Sequence, residues 1–102
     1  MTLTDIKDIL VAVDPGIQHR FSMSKGNYSY WEERNPLPFT ADDRHEEAWH
    51  FYVHRYTKDP RDQIAADLFA ALDGHPAIAV RYETDYDRDT GSIHHIYECE
   101  AY

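Results

Sequence analysis

The sequence predicts an α+β domain: a small mixed, mainly antiparallel sheet of about four to five strands with two helices packed on one face, in the order α-β-β-loop-β-α-β-β. Three observations carry this expectation. Two segments, around residues 4–13 and 60–72, repeat apolar residues at helical spacing. Several runs, most clearly residues 49–57, alternate between two faces as strands do. Asp87-Arg88-Asp89-Thr90-Gly91 has the composition of a hairpin turn. A chain of 102 residues is expected to be one domain, 1–102, with one core. It leaves little room for a deep substrate cavity, because a domain of this size buries only ~60–70% of its unfolded surface.

The elements follow in order. Thr4 reads as the cap of a first helix, with Asp5 and Asp8 in the turns where the helix dipole favours negative charge. Ile6, Ile9, Leu10 and Val13 form one apolar stripe, and Asp14-Pro15-Gly16 ends the helix. Residues 17–23 alternate modestly, with Ile17, His19, Phe21 and Met23 on one side. Ser24-Lys25-Gly26-Asn27 is a turn signal, and residues 28–33 form an aromatic strand, so the two runs are expected to pair as a hairpin. Asn35-Pro36-Leu37-Pro38 breaks regular structure, and residues 34–46 read as a loop of the length that is usually functional or mobile.

Residues 49–57 alternate cleanly. Trp49, Phe51, Val53 and Arg55 point one way; His50, Tyr52, His54 and Tyr56 point the other. Asp59 followed by Pro60 is a helix start signal. Ile64, Ala65, Leu68, Phe69, Ala71 and Leu72 supply a buried helical face, and Gly74 and Pro76 stop it. Residues 77–85 and 92–100 then read as two strands joined by the acidic turn, with Ile78, Val80 and Tyr82 on one face of the first.

Composition removes whole classes of function. A formal net charge of −9 opposes binding to nucleic acid or to an anionic membrane, both of which need a basic surface. Two readings survive: a solvated acidic surface, or complementarity to a basic partner. The aromatic fraction of 14% rests on eight tyrosines, which suit half-buried sheet faces and contact surfaces. Cys99 is the only cysteine, so no disulfide framework exists. The beginning of the chain lacks a basic and apolar leader, and no apolar run reaches ~18 residues, so a soluble product made without export is expected.

Seven histidines invite a metal reading. On a strand, however, His50 and His54 stand ~13 Å apart at ~3.3 Å per residue, too far to share one ion. His94 and His95 project to opposite faces. No paired Cys-x-x-Cys, His-Glu-x-x-His or EF-hand loop is present, which leaves a site built from distant histidines, such as His50 with His94, as the remaining metal candidate. Asp42-Asp43 and Glu46-Glu47 are contiguous loop acids, which ordinarily face water rather than converge in a cleft. No nucleophile elbow surrounds a serine and no glycine loop could cradle phosphate. The expectation is a protein with no catalytic residues, no metal and no cofactor.

Four pieces of the chain carry a resemblance: Thr4-Asp5-Ile6-Lys7-Asp8-Ile9-Leu10, Ala41-Asp42-Asp43, the run into Tyr56-Thr57-Lys58-Asp59-Pro60, and Tyr82-Glu83-Thr84-Asp85. Together they resemble the tail completion or tail terminator proteins of long-tailed bacteriophages and prophages, over roughly residues 4–100. The motifs are short and degenerate. This chain also departs from the pattern in its aromatic and histidine content and in the shortened segment between its first two strands. The resemblance implies a small mixed sheet flanked by helices, with neither catalytic residues nor cofactor. It implies assembly as a homo-oligomeric, six-fold ring that closes the tail tube and meets the head connector or stopper protein in the virion neck, after synthesis in the bacterial host cytoplasm.

A ring subunit needs lateral surfaces joined by a heterologous contact that closes by rotation. Candidate contact residues are Trp31, Leu37, Phe39, Asp42, Asp43 and Glu46, with the strand face His50, Tyr52, His54 and Tyr56. The alternative is a small acidic, immunity-type module that caps a basic protein partner. Acids clustered on one convex surface would favour that inhibitor; acids spread over the rim of a ring would favour assembly.

Overall fold

The computed structural model describes residues 1–20, 26–34 and 48–102. Its first helix, α1 (Leu3–Val13), opens on a reciprocal capping box: the Asp5 N–H donates to Thr2 Oγ1 at 3.1 Å and the Thr2 N–H donates to Asp5 Oδ2 at 2.8 Å. The cap is therefore Thr2, not Thr4, because only Thr2 stands three residues before an acid able to return the bond. At the other end the Asp14 N–H bonds Leu10 O, and Asp14 Oδ1 accepts from the Gly16 N–H.

Strand β1 (Gln18–His19) and strand β2 (Tyr28–Arg34) run parallel, with Gln18 opposite Tyr30 and His19 opposite Trp31. This corrects the expected hairpin, whose strands would be antiparallel. Alternation specifies which side chains share a face but not the direction in which a neighbouring strand runs. The strand stops where Arg20 takes a left-handed backbone (φ 82) and donates its N–H to Trp31 O. Arg20 also pairs with Glu33, whose carboxyl is held down to about 2 chiefly by that guanidinium.

Strand β3 (Trp49–Thr57) pairs antiparallel with β2 and, on its other side, with β5 (Ser92–Ala101); β4 (Ile78–Asp87) pairs antiparallel with β5. Among the described residues the sheet has five strands in the order β1-β2-β3-β5-β4. The β4–β5 turn closes through the Gly91 N–H on Asp87 O, with Gly91 at φ 74. Helix α2 (Gln63–Asp73) is capped by Asp62, whose carboxylate accepts from the Ala65 N–H, rather than by Asp59. Asp59 instead accepts from the Arg61 N–H, and Pro60 lies in the turn that precedes the helix. Gly74 ends α2 tightly: a Cβ there would sit 2.8 Å from Ala70 O.

Both helices cover one face of the sheet, as the apolar patterns require. Ile6 and Leu10 from α1 and Leu68 and Leu72 from α2 join Trp31, Phe51, Val53, Tyr97 and Cys99 in a single buried cluster. Phe69, placed by periodicity on the buried face, is 37% exposed at its edge. The Tyr97 hydroxyl donates to Ala65 O at 2.7 Å, so its polar end is satisfied inside the core. One charge is built into this layer. Arg55 is 5% exposed and makes two bonds to Asp62, at 2.8 and 3.1 Å, and one to Ser29 Oγ at 3.2 Å, with Asp14 at 3.9 Å. Arg55 thus ties β3 to the end of α1 and the start of α2. Burial alone would raise the Asp62 carboxyl, but Arg55 and the Ala65 N–H bind its charged form and hold it below the usual carboxylate range.

Candidate functional site: an aromatic and histidine sheet face

Strand parity puts the other residues on the opposite face. Register places Tyr28 and Tyr30 of β2 opposite Tyr56 and His54 of β3, and Tyr56 opposite His94 of β5. Among the described residues no helix packs on this face, so its rings pack on one another. Tyr28 stacks on Tyr56 at 4.9 Å between centroids, Tyr56 on His94 at 4.0 Å, Tyr30 on His54 at 4.4 Å and His54 on His94 at 5.0 Å, all within 29° of parallel. Tyr52 extends the layer beside His54, with the Arg34 guanidinium 4.7 Å above its ring. The result is a nearly flat plate of rings across three strands. Its packing explains how His54 reaches 8% exposure without a helix above it.

Hydrogen bonds run through the plate in a fixed direction. His54 Nε2 lies 3.1 Å from Glu32 Oε2, and His54 Nδ1 lies 2.8 Å from His94 Nε2. Burial is the main cause that lowers the His54 pKa, and burial with the neighbouring His54 takes His94 down to about 4. Both rings are therefore neutral near pH 7, with one N–H each. The Glu32 carboxylate can only accept, so the His54 proton sits on Nε2 and donates to it. His54 Nδ1 is then a lone pair, which accepts the His94 Nε2–H. His94 Nδ1 is left without a proton. The same burial pushes the Tyr56 hydroxyl up to about 12 and raises that of Tyr30, so both phenols stay protonated.

Hydrogen bonds to carboxylates border the plate. His50 Nε2 lies 2.6 Å from Glu100 Oε2, and the Tyr52 hydroxyl donates to Glu98 at 3.3 Å. His50 and His94 thus have different partners, and among the described residues no group of three or more histidine, cysteine or acidic side chains is placed to hold a metal ion. His95 projects to the helix-covered face, where its Nδ1 meets the Tyr82 hydroxyl at 2.7 Å; its Nε2 is buried without a partner beside a cavity of about 450 Å³ lined also by Phe69, Ala66 and Asp62. Burial pushes the Cys99 thiol up to about 12, which keeps it unreactive.

His50, Tyr52, His54 and Tyr56 share this face, as alternation predicts. Trp31 does not. It is 2% exposed on the helix-covered side, stacked on His19 at 4.1 Å and edge-on to Phe51. Its large ring fits the core better than a contact surface, and its parity within β2 dictates the side. Leu37, Phe39, Asp42, Asp43 and Glu46 lie outside the described residues. Tyr28, Tyr30, Glu32 and His94 are the additional members of the plate. Alternation within residues 28–34 carried a signal for the first three, whereas His94 joins only through the β3–β5 register. The chain matches no family model and no curated protein.

Proposed function

We propose that the chain is a structural assembly subunit of a long-tailed phage or prophage, forming a ring that closes the tail tube and meets the head connector in the virion neck. The observation that supports this reading best is the plate of Tyr28, Tyr30, Tyr52, His54, Tyr56 and His94, a broad preordered surface with no helix packed on it among the described residues. Aromatic rings locked by mutual stacking lose little further entropy when a neighbour covers them. The four sequence pieces that resemble tail completion proteins support reading that neighbour as another ring subunit or a tail protein. No cofactor, catalytic step or direct nucleic-acid contact is needed on this reading.

The described acids do not gather on one surface, which counts against an inhibitor that caps a basic partner. Described acids occur in both helices, as Asp5, Asp8, Asp67 and Asp73, and in strands β4 and β5, as Glu83, Asp85, Glu98 and Glu100. Several others are already paired with Arg20, Arg55 or His54. The test is native mass spectrometry of the chain mixed with the tail-tube protein of a long-tailed phage from the same host. A closed ring of several copies bound to tube protein is expected, lost on Tyr56→Glu. Failure to associate with tube protein at any ratio would sink the proposal.

A further inference from the structure

Among the described residues, strand β4 ends the sheet with ten residues and a single partner, β5, whereas the opposite edge is the two-residue β1. Residues 81–86 are all exposed. The orientation of the β4 backbone follows from one bond: the Tyr102 N–H donates to Ala77 O, and the β4–β5 register then runs without interruption. Antiparallel pairs alternate between hydrogen-bonded and non-hydrogen-bonded. Odd-numbered residues of β4 therefore point their N–H and C=O groups at β5. Val80, Tyr82, Thr84 and Tyr86 point theirs outward, as a free ladder. The exposed large apolar side chains among the described residues are Phe69, Tyr82, Tyr86 and Tyr102, and the first three flank this edge on its helix-covered side. Tyr82 rests on Phe69 at 5.6 Å. An edge this long, without proline or glycine, is a template for another strand.

We propose that the edge takes the β4 strand of a second copy, antiparallel about a two-fold axis at Tyr82. Charge selects both the occupant and the register. On the plate side β4 carries Arg81, Glu83, Asp85 and Asp87. With Tyr82 on the axis, each Arg81 faces the other copy's Glu83 and each Asp85 faces Ala79, so no like charges stand directly opposite one another. An axis at Glu83 sets Glu83 against itself. An axis at Thr84 sets Glu83 against Asp85, and one at Arg81 sets Arg81 against itself. On the helix-covered side the same register brings the two Tyr82 rings together and lays Tyr86 against Ile78, covering the aromatic groups that the subunit leaves exposed. This contact is isologous and closes at two copies. It is independent of the ring proposal, which needs a heterologous surface.

A single strand edge is small beside the ~1,200 Å² of a standard interface, so the dimer forms in a concentration-dependent way. Sedimentation equilibrium of the purified chain tests it. Wild type is expected to dimerise. R81E places acid against acid twice and weakens dimerisation by at least about tenfold. R81E/E83R restores opposite charges across the axis and recovers it. T84P removes an outward N–H that β5 does not use; it is expected to yield a monomer whose unfolding midpoint matches that of wild type diluted to the monomer. A wild-type chain that stays monomeric at high concentration would overturn the proposal, as would dimers that persist in both R81E and T84P. Tube-protein binding that survives in a monomeric T84P variant separates failure of this contact from failure of the ring.

Discussion

The two faces of the sheet are made by alternate residues of the same strands, yet they are held by different physics. Toward the helices, Phe51, Val53 and Tyr97 join Leu10, Leu68 and Leu72 in one core, and the ionic cluster at Arg55 is buried and multiply bonded. On the other side rings lie flat on rings, and the hydrogen-bonded pair at the margin stays wet: His50 and Glu100 are 50% and 43% exposed. Stability concentrates where volume is excluded and charge is enclosed. The plate adds order and a surface at lower energetic cost to the fold. That difference assigns the core to folding and leaves the plate as the face proposed for contact.

Breaking the comparison begins with Arg55. Arg55→Ala leaves the Asp62 and Asp14 carboxylates without their cation and unties both helices from β3. A loss of about 3–5 kcal/mol in urea unfolding is expected, against about 0.5–1.5 kcal/mol for removing a plate stack with Tyr28→Ala. Equal losses would show that the two faces share the load.

The next effect is one of pH. His94 has a folded pKa of about 4, below its unfolded value of 6.5, so the unfolded chain binds the proton first. Its contribution to stability is complete above pH 6.5 and is lost as pH falls from there toward about 4. Thermal unfolding midpoints over that window should fall less steeply for His94→Asn than for wild type. Parallel curves would remove the neutral histidine chain from the description. The smallest change is expected at the margin: His50→Gln should alter stability by no more than about 0.5 kcal/mol, because the pair with Glu100 is exposed.

Part of this molecule is legible without coordinates. The apolar stripe of α1, the cleavage of β3 into two faces, and the acidic turn before β5 all follow from local periodicity and turn chemistry. They are properties of a few consecutive residues. Thr2-x-x-Asp5 was legible too, as a capping box two residues before the threonine that periodicity suggested. The choice of Asp62 over Asp59 was not. Asp59-Pro60 is the stronger local start signal, but Asp62 is the acid that Arg55 of β3 can reach, and that bond lies outside any local window.

What the sequence by itself determined is the class of fold, the content of each strand face and the placement of His50, Tyr52, His54 and Tyr56 together. These depend on spacings of two and of 3.6 residues, which are read along the chain. Only the tertiary structure decided that β1 runs parallel to β2, that Trp31 belongs to the core, that His94 completes the histidine chain from Glu32, and that β4 is the long edge of the sheet among the described residues. Each of these is a matter of strand order, direction or register. Such choices are set by long-range pairing and by competition for burial, which leave no periodic trace in the residues that obey them.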